Sequence, residues 1–185
     1  MPRRPKSASY GGICYADCTS PYAYIELTNL EITKVDAEDL PMLRKYTWGV
    51  NREGGYVQTG IGKKIVRMHR LLLNAPDGVQ VDHINGNLLD NTKGNLRLCT
   101  RSQNAGNSGP QTWRHGRPYK GVYAWKKGWK AVCAGKHVGF YKTAEEAAKA
   151  YDKAAVERWG EFAKTNLSAS TTSPPPAPES YSQTP

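Results

Sequence analysis

The stretch VDHINGNLLDNTKGNLRLCTRSQN, residues Val81–Asn104, decides the fold of the N-terminal half of the chain. Asp82 and His83 lie next to each other at the end of a β-like run, and an Asn-Gly turn follows directly. A second apolar run comes after the turn, and Thr100 is placed to cap a short helix over Arg101–Asn107. The pattern therefore predicts two paired strands followed by a helix.

Three side chains of this stretch have the chemistry of a hydrolytic metal site. The carboxylate of Asp82 is a hard oxygen ligand suited to Mg²⁺. The imidazole of His83 can accept a proton near neutral pH. Neighbours on a strand point to opposite faces, but a turn at the strand end can bring both to one site. The short helix would carry Asn104 to the same ion, so we expect one divalent metal, Mg²⁺, for which Mn²⁺ can substitute.

The composition favours a nucleic-acid partner. The chain has 185 residues and a formal net charge of +10, and such a basic excess favours a polyanion; a charged, solvated surface is the alternative. No apolar run approaches the ~20 residues of a membrane span. Of the four cysteines only Cys14 and Cys18 are close together, which is weak evidence for zinc, so we expect reduced thiols.

Differences in patterning predict two folded domains with tails and a linker. The predicted ranges are a disordered basic tail at 1–9, a first domain at 10–108, a linker at 109–118, a second domain at 119–167 and a disordered Pro/Ser/Thr tail at 168–185. In the first domain, the predicted elements are strands at Ala23–Leu27, Tyr56–Thr59 and Lys64–Met68 and a helix at Glu38–Tyr46.

The second domain has the pattern of three short strands followed by a helix. The predicted strands are Gly121–Trp125, Trp129–Ala134 and His137–Tyr141. Thr143 and Glu146 form a capping-box pattern at the start of the helix, and Gly160 is placed to end it. The predicted fold is therefore α+β throughout, with a small three-stranded antiparallel sheet packed on one helix in this domain.

The stretch Val81–Asn104 resembles the ββα-metal motif of the HNH endonuclease family. The matching residues are Asp82-His83, Asn95-Leu96-Arg97 and Asn104. Upstream segments look like the lead-in of phage and intron-type homing endonucleases of that family; they are Val35–Asp39, Tyr46–Trp48 and Met68–Leu71. Leu89-Asp90-Asn91 also looks like that family. The third motif position is Asn rather than His, a variant that the family contains.

The resemblance implies a role for each matching residue. Asp82 and Asn104 would bind the metal, His83 would be the general base, and Asn95 would form a hydrogen bond across the hairpin loop that orients His83. Possible phosphate contacts are His69, Arg70 and Arg97, although His69 could simply pack. The implied reaction is hydrolysis of a DNA phosphodiester to a 5′-phosphate and a 3′-hydroxyl, with one metal ion sufficient.

The second domain resembles the ethylene-response-factor (APETALA-like) DNA-binding domain of plants. The resemblance is carried by Lys120–Trp125, Trp129–Ala131, Gly139–Tyr141, Glu145–Asp152 and Gly160–Leu167. It implies a sheet that enters the DNA major groove. The candidate DNA contacts are Tyr123, Trp125, Lys127, Trp129, Lys130, Lys136 and His137. Phe140 is expected in the core, and for the two tryptophans a core position and a DNA position are both open.

These inferences combine into one functional prediction. We expect a metal-dependent homing-type endonuclease that acts on double-stranded DNA as a monomer, without membrane contact, guided by its C-terminal domain. Two alternatives stay open: a non-enzymatic sequence-specific DNA-binding protein such as a transcription regulator, and a degenerate HNH protein that binds without cutting. The expected location is intracellular, in the cytoplasm of a phage-infected host cell.

Overall fold

The computed structural model describes residues 14–16, 20–109 and 118–167. They fall into two compact units, one ending at Thr100 and the other beginning at Arg101. The predicted tails, residues 110–117 of the predicted linker, and Cys18 lie outside the described residues. Within those ranges, no helix combines the length and apolar character that crossing a bilayer requires.

The N-terminal unit is built from short antiparallel strands and two short helices. Its strands are β1 (Cys14–Ala16), β2 (Tyr22–Glu26), β3 (Ile32–Asp36), β4 (Gly49–Val50), β5 (Val57–Ile61), β6 (Lys64–Arg67), β7 (Gln80–His83) and β8 (Leu96–Cys99). Its helices are α1 (Leu40–Leu43) and α2 (Met68–Leu72), with 3₁₀ turns at Ala37–Asp39 and Lys93–Asn95. The strands form two sheets, β1-β2-β3 and β4-β5-β6, and the hairpin β7-β8.

The core of this unit follows from the alternation of side chains along the strands. Ala23 and Ile25 on β2 face inward and pair with Val35 and Thr33 on β3, and all four are buried. Trp48 is 1% exposed, and its indole N–H donates to the Leu43 carbonyl at 2.9 Å. The first sheet therefore has one apolar face packed into the unit.

Two predicted elements of this unit differ from the structure. The helix expected over Glu38–Tyr46 is a 3₁₀ turn followed by the four residues of α1. After α1 the chain continues only in 3₁₀-type bonds, since the N–H of Lys45 donates to the Met42 carbonyl at 3.4 Å and that of Tyr46 to the Leu43 carbonyl at 3.1 Å. The strand expected over Lys64–Met68 ends at Arg67, and Met68, which is fully buried, begins α2 instead.

The C-terminal unit contains a three-stranded antiparallel sheet and a long helix. Its elements are α3 (Arg101–Asn107), β9 (Val122–Trp125), β10 (Gly128–Cys133), β11 (Lys136–Tyr141) and α4 (Ala144–Trp159), then a 3₁₀ turn at Gly160–Phe162; β10 is the middle strand. The capping box of Thr143 and Glu146 at the start of α4 is confirmed. The small buried face of α4, with Ala147 and Ala148 at 0% exposure, packs against the sheet.

Helix α3 packs inside the C-terminal unit. A Cβ at Gly106 would lie 2.8 Å from the Trp159 ring, so only glycine allows this close approach. The Trp159 indole N–H donates to Ser102 Oγ at 3.0 Å, and Lys120 Nζ donates to the Gly106 carbonyl at 2.6 Å. The division between the units therefore precedes α3, whereas the sequence placed this helix in a first domain ending at residue 108.

Candidate active site

His83 is the last residue of β7 and is 3% exposed. Its ring centroid lies 5.2 Å from that of His69 and 6.3 Å from that of Tyr56. Burial lowers the pKa of His83, and the hydrogen bond with Asn91 and the charge of Asp82 oppose that effect only in part. The imidazole is therefore neutral at neutral pH, and one ring nitrogen carries a lone pair that can accept a proton.

The loop from residue 84 to residue 95 joins β7 to β8, and Asn95 closes it. Asn95 Oδ1 accepts the backbone N–H of Asn85 at 3.0 Å, and its Nδ2 donates to the Asp90 carbonyl at 2.7 Å. The backbone N–H of Ile84 donates to the Asn95 carbonyl at 2.9 Å. Asn95 thus forms hydrogen bonds with the loop backbone, and its role in orienting His83 stays a prediction.

Asn91, to which the sequence assigned no role in the site, contacts the His83 ring. His83 Nε2 and Asn91 Oδ1 are 3.3 Å apart, and Asn91 is 0% exposed. Its amide nitrogen donates to Thr33 Oγ1 on β3 at 3.0 Å. The signal in the sequence was the density of Asn and Asp between residues 85 and 95, since such residues fix loops through their side chains.

Strand β3 also holds this loop through its backbone. The N–H of Lys34 donates to the Leu89 carbonyl at 2.8 Å, and the N–H of Asn91 donates to the Lys34 carbonyl at 2.8 Å. Nearby, the N–H of Lys93 donates to Asp36 Oδ2 at 2.7 Å. The first sheet therefore supports the loop that carries the partner of His83.

Asp82 lies opposite Arg97 in the β7-β8 register, and the two form an ion pair. Arg97 Nε and Nη2 both lie 2.9 Å from Asp82 Oδ2, and Asp82 is 6% exposed. The positive charge compensates the buried carboxylate, which would otherwise be costly. The guanidinium group has five N–H donors, so the predicted phosphate contact of Arg97 stays a prediction.

His69 lies in α2, packed against the ring of Tyr56 with centroids 5.1 Å apart. It is 3% exposed, and its Nδ1 is buried without a hydrogen-bond partner. Burial, then the charges of His83, Arg67 and Arg70, lower the pKa of His69 to about 3. The sequence left two roles open for His69, packing and a phosphate contact. Because the ring is neutral and buried, the packing role is favoured.

The guanidinium group of Arg70 holds the turn after α2. Its Nη1 donates to the Val79 carbonyl at 2.6 Å, and its Nη2 donates to the carbonyls of Ala75 and Pro76 at 3.2 and 2.8 Å. These bonds satisfy backbone acceptors that no strand or helix pairs. The structure therefore gives Arg70 a structural role just before β7, and the predicted phosphate contact has no support from its geometry.

The predicted second metal ligand, Asn104, lies on α3 in the C-terminal unit and is partly buried. Its role beside Asp82 rests on the sequence alone. Among the described residues, no group of three or more His, Cys, Asp or Glu side chains is arranged to hold a metal ion.

The outer face of the C-terminal sheet carries aromatic and basic side chains. Lys130 on β10 pairs with Tyr123 on one side and Phe140 on the other. The Lys130 ammonium lies 4.7 Å from the Trp125 ring centroid, and the centroids of Trp125 and Phe140 are 6.1 Å apart. His137 lies beside Phe140, with ring centroids 4.5 Å apart.

The expected positions of the aromatic residues on this sheet need one correction. Phe140, predicted in the core, is 59% exposed, because it follows the outward-facing row of Lys130 across the strands. Trp125 is 46% exposed, whereas Trp129 is partly buried against the core. Lys127 is exposed in the turn between β9 and β10, and Lys136 is exposed at the start of β11. Of the predicted DNA contacts, the structure therefore brings Tyr123, Trp125, Lys130 and His137 together on the outer face.

Comparison of the sequence with known proteins identifies one family. Residues 74–106 match a sequence profile described as HNH endonuclease, a range that includes β7, the loop and β8. The chain is also 30% identical over 138 residues to an uncharacterised HNH endonuclease of Acanthamoeba polyphaga mimivirus, which covers 71% of this chain and 73% of the relative. No solved structure matches the chain. The profile ends at residue 106, so the resemblance of residues 119–167 to plant DNA-binding domains and the phage origin stay predictions. The chain belongs to the HNH endonuclease family.

Proposed function

We propose that the protein is a metal-dependent DNA endonuclease with His83 as its general base. The observation that carries the proposal is the His83 imidazole, which is buried at a strand end and contacts Asn91. Burial lowers its pKa, which favours the neutral ring at neutral pH. A neutral imidazole, which can accept a proton at neutral pH, is the kind of base that activation of water requires. The loop that Asn95 closes keeps this histidine in place.

The chemistry of the site fits a divalent metal ion. Arg97 Nε and Nη2 contact Oδ2 of Asp82, and a carboxylate oxygen is a hard ligand of the kind that Mg²⁺ prefers. Mg²⁺ is usually held by one or two protein carboxylates and completed by water and substrate phosphate. We propose Asp82 as a ligand, with Asn104 as the second on the basis of the family resemblance.

In the proposed reaction, His83 takes a proton from a water molecule as the water oxygen bonds to phosphorus. The bond from phosphorus to the 3′ oxygen breaks, the 3′ oxygen takes a proton from solvent water, and the products are a 5′-phosphate and a 3′-hydroxyl. A bound metal would supply neutralisation of the charge that develops on the phosphate and the leaving oxygen. Arg97 balances the charge of Asp82 and keeps this carboxylate oriented.

The C-terminal sheet is the proposed DNA-binding surface. Its outer row places the Lys130 ammonium among the rings of Trp125 and Tyr123, with centroid distances of 4.7 and 6.0 Å. A β-sheet can enter the major groove, and lysines there contact phosphates and position the protein without reading sequence. We therefore propose that this face tethers the nuclease to double-stranded DNA and contributes more to affinity than to sequence choice.

A plasmid-nicking assay tests the nuclease activity. Supercoiled plasmid with Mg²⁺ or Mn²⁺ should be nicked or linearised by the wild-type protein and left intact with EDTA. His83→Ala should lower the rate by about 100-fold or more, the scale of a lost general base. Ile65→Ala, which removes an exposed side chain of β6 in the same unit, is the matched control and should cut normally.

The outcome separates the proposal from the two alternatives. Cleavage by wild type and Ile65→Ala, but not by His83→Ala, supports the nuclease. DNA binding without cleavage of any DNA, including the sequence that flanks its own gene, would show a regulator or a degenerate HNH protein instead.

A further inference from the structure

The outer face of the C-terminal sheet carries two exposed aromatic rings next to each other. Trp125 is 46% exposed and Phe140 is 59% exposed, and their ring centroids lie 6.1 Å apart. We propose that Phe140 and Trp125 contact the 5-methyl group of thymine in the DNA major groove and so give this sheet a preference for A·T base pairs. This inference rests on the proposed function of the sheet as a DNA-binding surface.

A β-bulge turns Phe140 outward. Ala131 pairs with Gly139 but Val132 pairs with His137, so β11 has one extra residue between these two pairs. In a regular strand, residues three positions apart face opposite sides of the sheet. The ring centroids of His137 and Phe140 are nevertheless 4.5 Å apart, because a bulge changes the direction of the side chains that follow it. A defined feature of the backbone therefore exposes Phe140.

Two neighbouring exposed rings are costly on a free surface. Large aromatic side chains forgo the free energy of burial when they stay in water, and contiguous exposed apolar side chains mark interaction sites. The inner face of the same sheet is already covered by α4, with Val122 and Ala131 at 0% exposure. The rings of Trp125 and Phe140 thus form a second apolar cluster, on the face that is left for a partner.

The charge of this segment identifies the class of partner. Between residues 119 and 144 the sequence has no aspartate or glutamate and six lysines, which are Lys120, Lys126, Lys127, Lys130, Lys136 and Lys142. The next acidic residue is Glu145, in the first turn of α4. A basic surface without acidic residues complements a polyanion, and aromatic side chains among its lysines suit a nucleic acid.

The chemistry of phenylalanine limits what Phe140 can recognise. Its side chain has no donor or acceptor, so it cannot read the hydrogen-bonding pattern of a base edge. The apolar group that the major groove presents is the 5-methyl of thymine, and phenylalanine is suited to contact it. The Lys130 ammonium lies over the Trp125 ring, 4.7 Å from its centroid. One face of that ring is therefore occupied, which favours a groove contact over stacking on an unpaired base.

A pair of synthetic duplexes tests the inference by binding alone. Both have the same alternating A·T sequence, and one contains deoxyuridine in place of thymidine, so they differ only in the methyl groups. Affinities of the full-length protein would be measured by fluorescence anisotropy in EDTA, which prevents metal-dependent cleavage. Wild type should bind the thymine duplex about 4-fold more tightly for each methyl group that the rings cover, the effect of burying one carbon group of this size.

Three variants separate the ring contact from general effects. Phe140→Ala should bring the ratio of the two affinities close to 1 and change the affinity for the uracil duplex little. Lys130→Ala should weaken binding to both duplexes and leave their ratio unchanged, because a phosphate contact does not depend on the base. Val156→Ala removes an exposed apolar side chain of α4 in the same unit and is the matched control, which should bind both duplexes like wild type.

The inference and the proposed DNA-binding surface fail separately. A wild-type ratio near 1, or a thymine preference that Phe140→Ala retains, would overturn the thymine contact. Tighter binding to single-stranded oligo-dT than to the duplex, lost in Phe140→Ala, would overturn it too, because the rings would then stack on unpaired bases. If Lys130→Ala still weakens binding in these cases, the sheet remains the DNA-binding surface. If neither Lys130→Ala nor Phe140→Ala changes binding to any of these DNAs, both proposals are refuted.

Discussion

Lowering the pH from 7 to 5 should destabilise the N-terminal unit through His69. Burial lowers the pKa of this imidazole from 6.5 to about 3, and its Nδ1 has no hydrogen-bond partner in the folded protein. In the unfolded chain the same ring would titrate near its ordinary value. Between the two pKa values the unfolded state binds the extra proton, so the stabilisation is fully present above pH 6.5 and is lost as the pH falls toward 3.

The size of the effect follows from the two pKa values. One pKa unit corresponds to about 1.4 kcal/mol, and titration of a single group with these values removes about 2 kcal/mol between pH 7 and pH 5. A domain of this size has about 5–15 kcal/mol in total, so the loss is a large fraction of it. His83 adds a contribution of the same sign, because burial lowers its pKa too.

Urea unfolding at pH 7, 6 and 5 measures this loss, with the buried Trp48 as the fluorescence probe of the N-terminal unit. The variant His69→Phe keeps a ring against Tyr56 and removes the titrating group, so it should lose about 2 kcal/mol less than wild type over the same pH range. His137→Phe, which removes an exposed histidine of the C-terminal sheet, should behave as wild type. If wild type and His69→Phe lost equal stability, the buried neutral state of His69 would be refuted.

Two further predictions concern the C-terminal unit. Lys130→Ala should weaken binding to any DNA sequence and reduce the slope of log K against log salt by about 1, because one phosphate contact is lost. The control, Lys153→Ala, removes the same charge from the exposed side of α4. An equal effect of both variants on DNA binding would argue against the sheet as the DNA-binding face. Gly121→Ala should lower the free energy of unfolding by at least about 1 kcal/mol, because φ is +72° and the new Cβ would collide with the ring of Tyr151. Thermal unfolding measures that loss. Gly135→Ala is the matched control, since φ is also positive there, at +79°, but no atom lies within 4 Å of the added Cβ. Equal losses of stability in both variants would show that backbone strain alone is responsible.

The sequence predicted correctly those helices and strands that depend on residues close together in the chain. The helix over Arg101–Asn107 agrees with α3 to the residue, and the capping box at Thr143 gives the correct start of α4. The pairing of β7 with β8 follows from the turn between two apolar runs. Each of these depends on residues within a few positions of one another, which is where propensity and turn chemistry are informative.

Tertiary packing decided the features that the sequence did not predict. Phe140 was expected in the core because it is large and apolar, but the register of β11 with β10 places it beside Lys130 on the outer face. Helix α3 was assigned to the first domain by its position in the chain, whereas its contacts with Trp159 and Lys120 place it in the second unit. Neither the register nor a contact over 57 positions can be derived from local patterns.

Strand β3 shows why the partner of His83 could not be found from periodicity. The apolar residue Ile32 is 50% exposed, while its neighbour Thr33 is 0% exposed, which is the reverse of what hydrophobicity alone predicts. Thr33 has a hydroxyl that both accepts from Asn91 and donates to the Leu89 carbonyl, and an apolar residue in that position would leave the Asn91 amide without one partner. The reversed burial of Ile32 and Thr33 is explained if β3 is constrained by its hydrogen bonds to Asn91, the partner of His83, as well as by the core. A polar residue on the buried face of a strand that is distant in sequence from the motif is therefore evidence for the site.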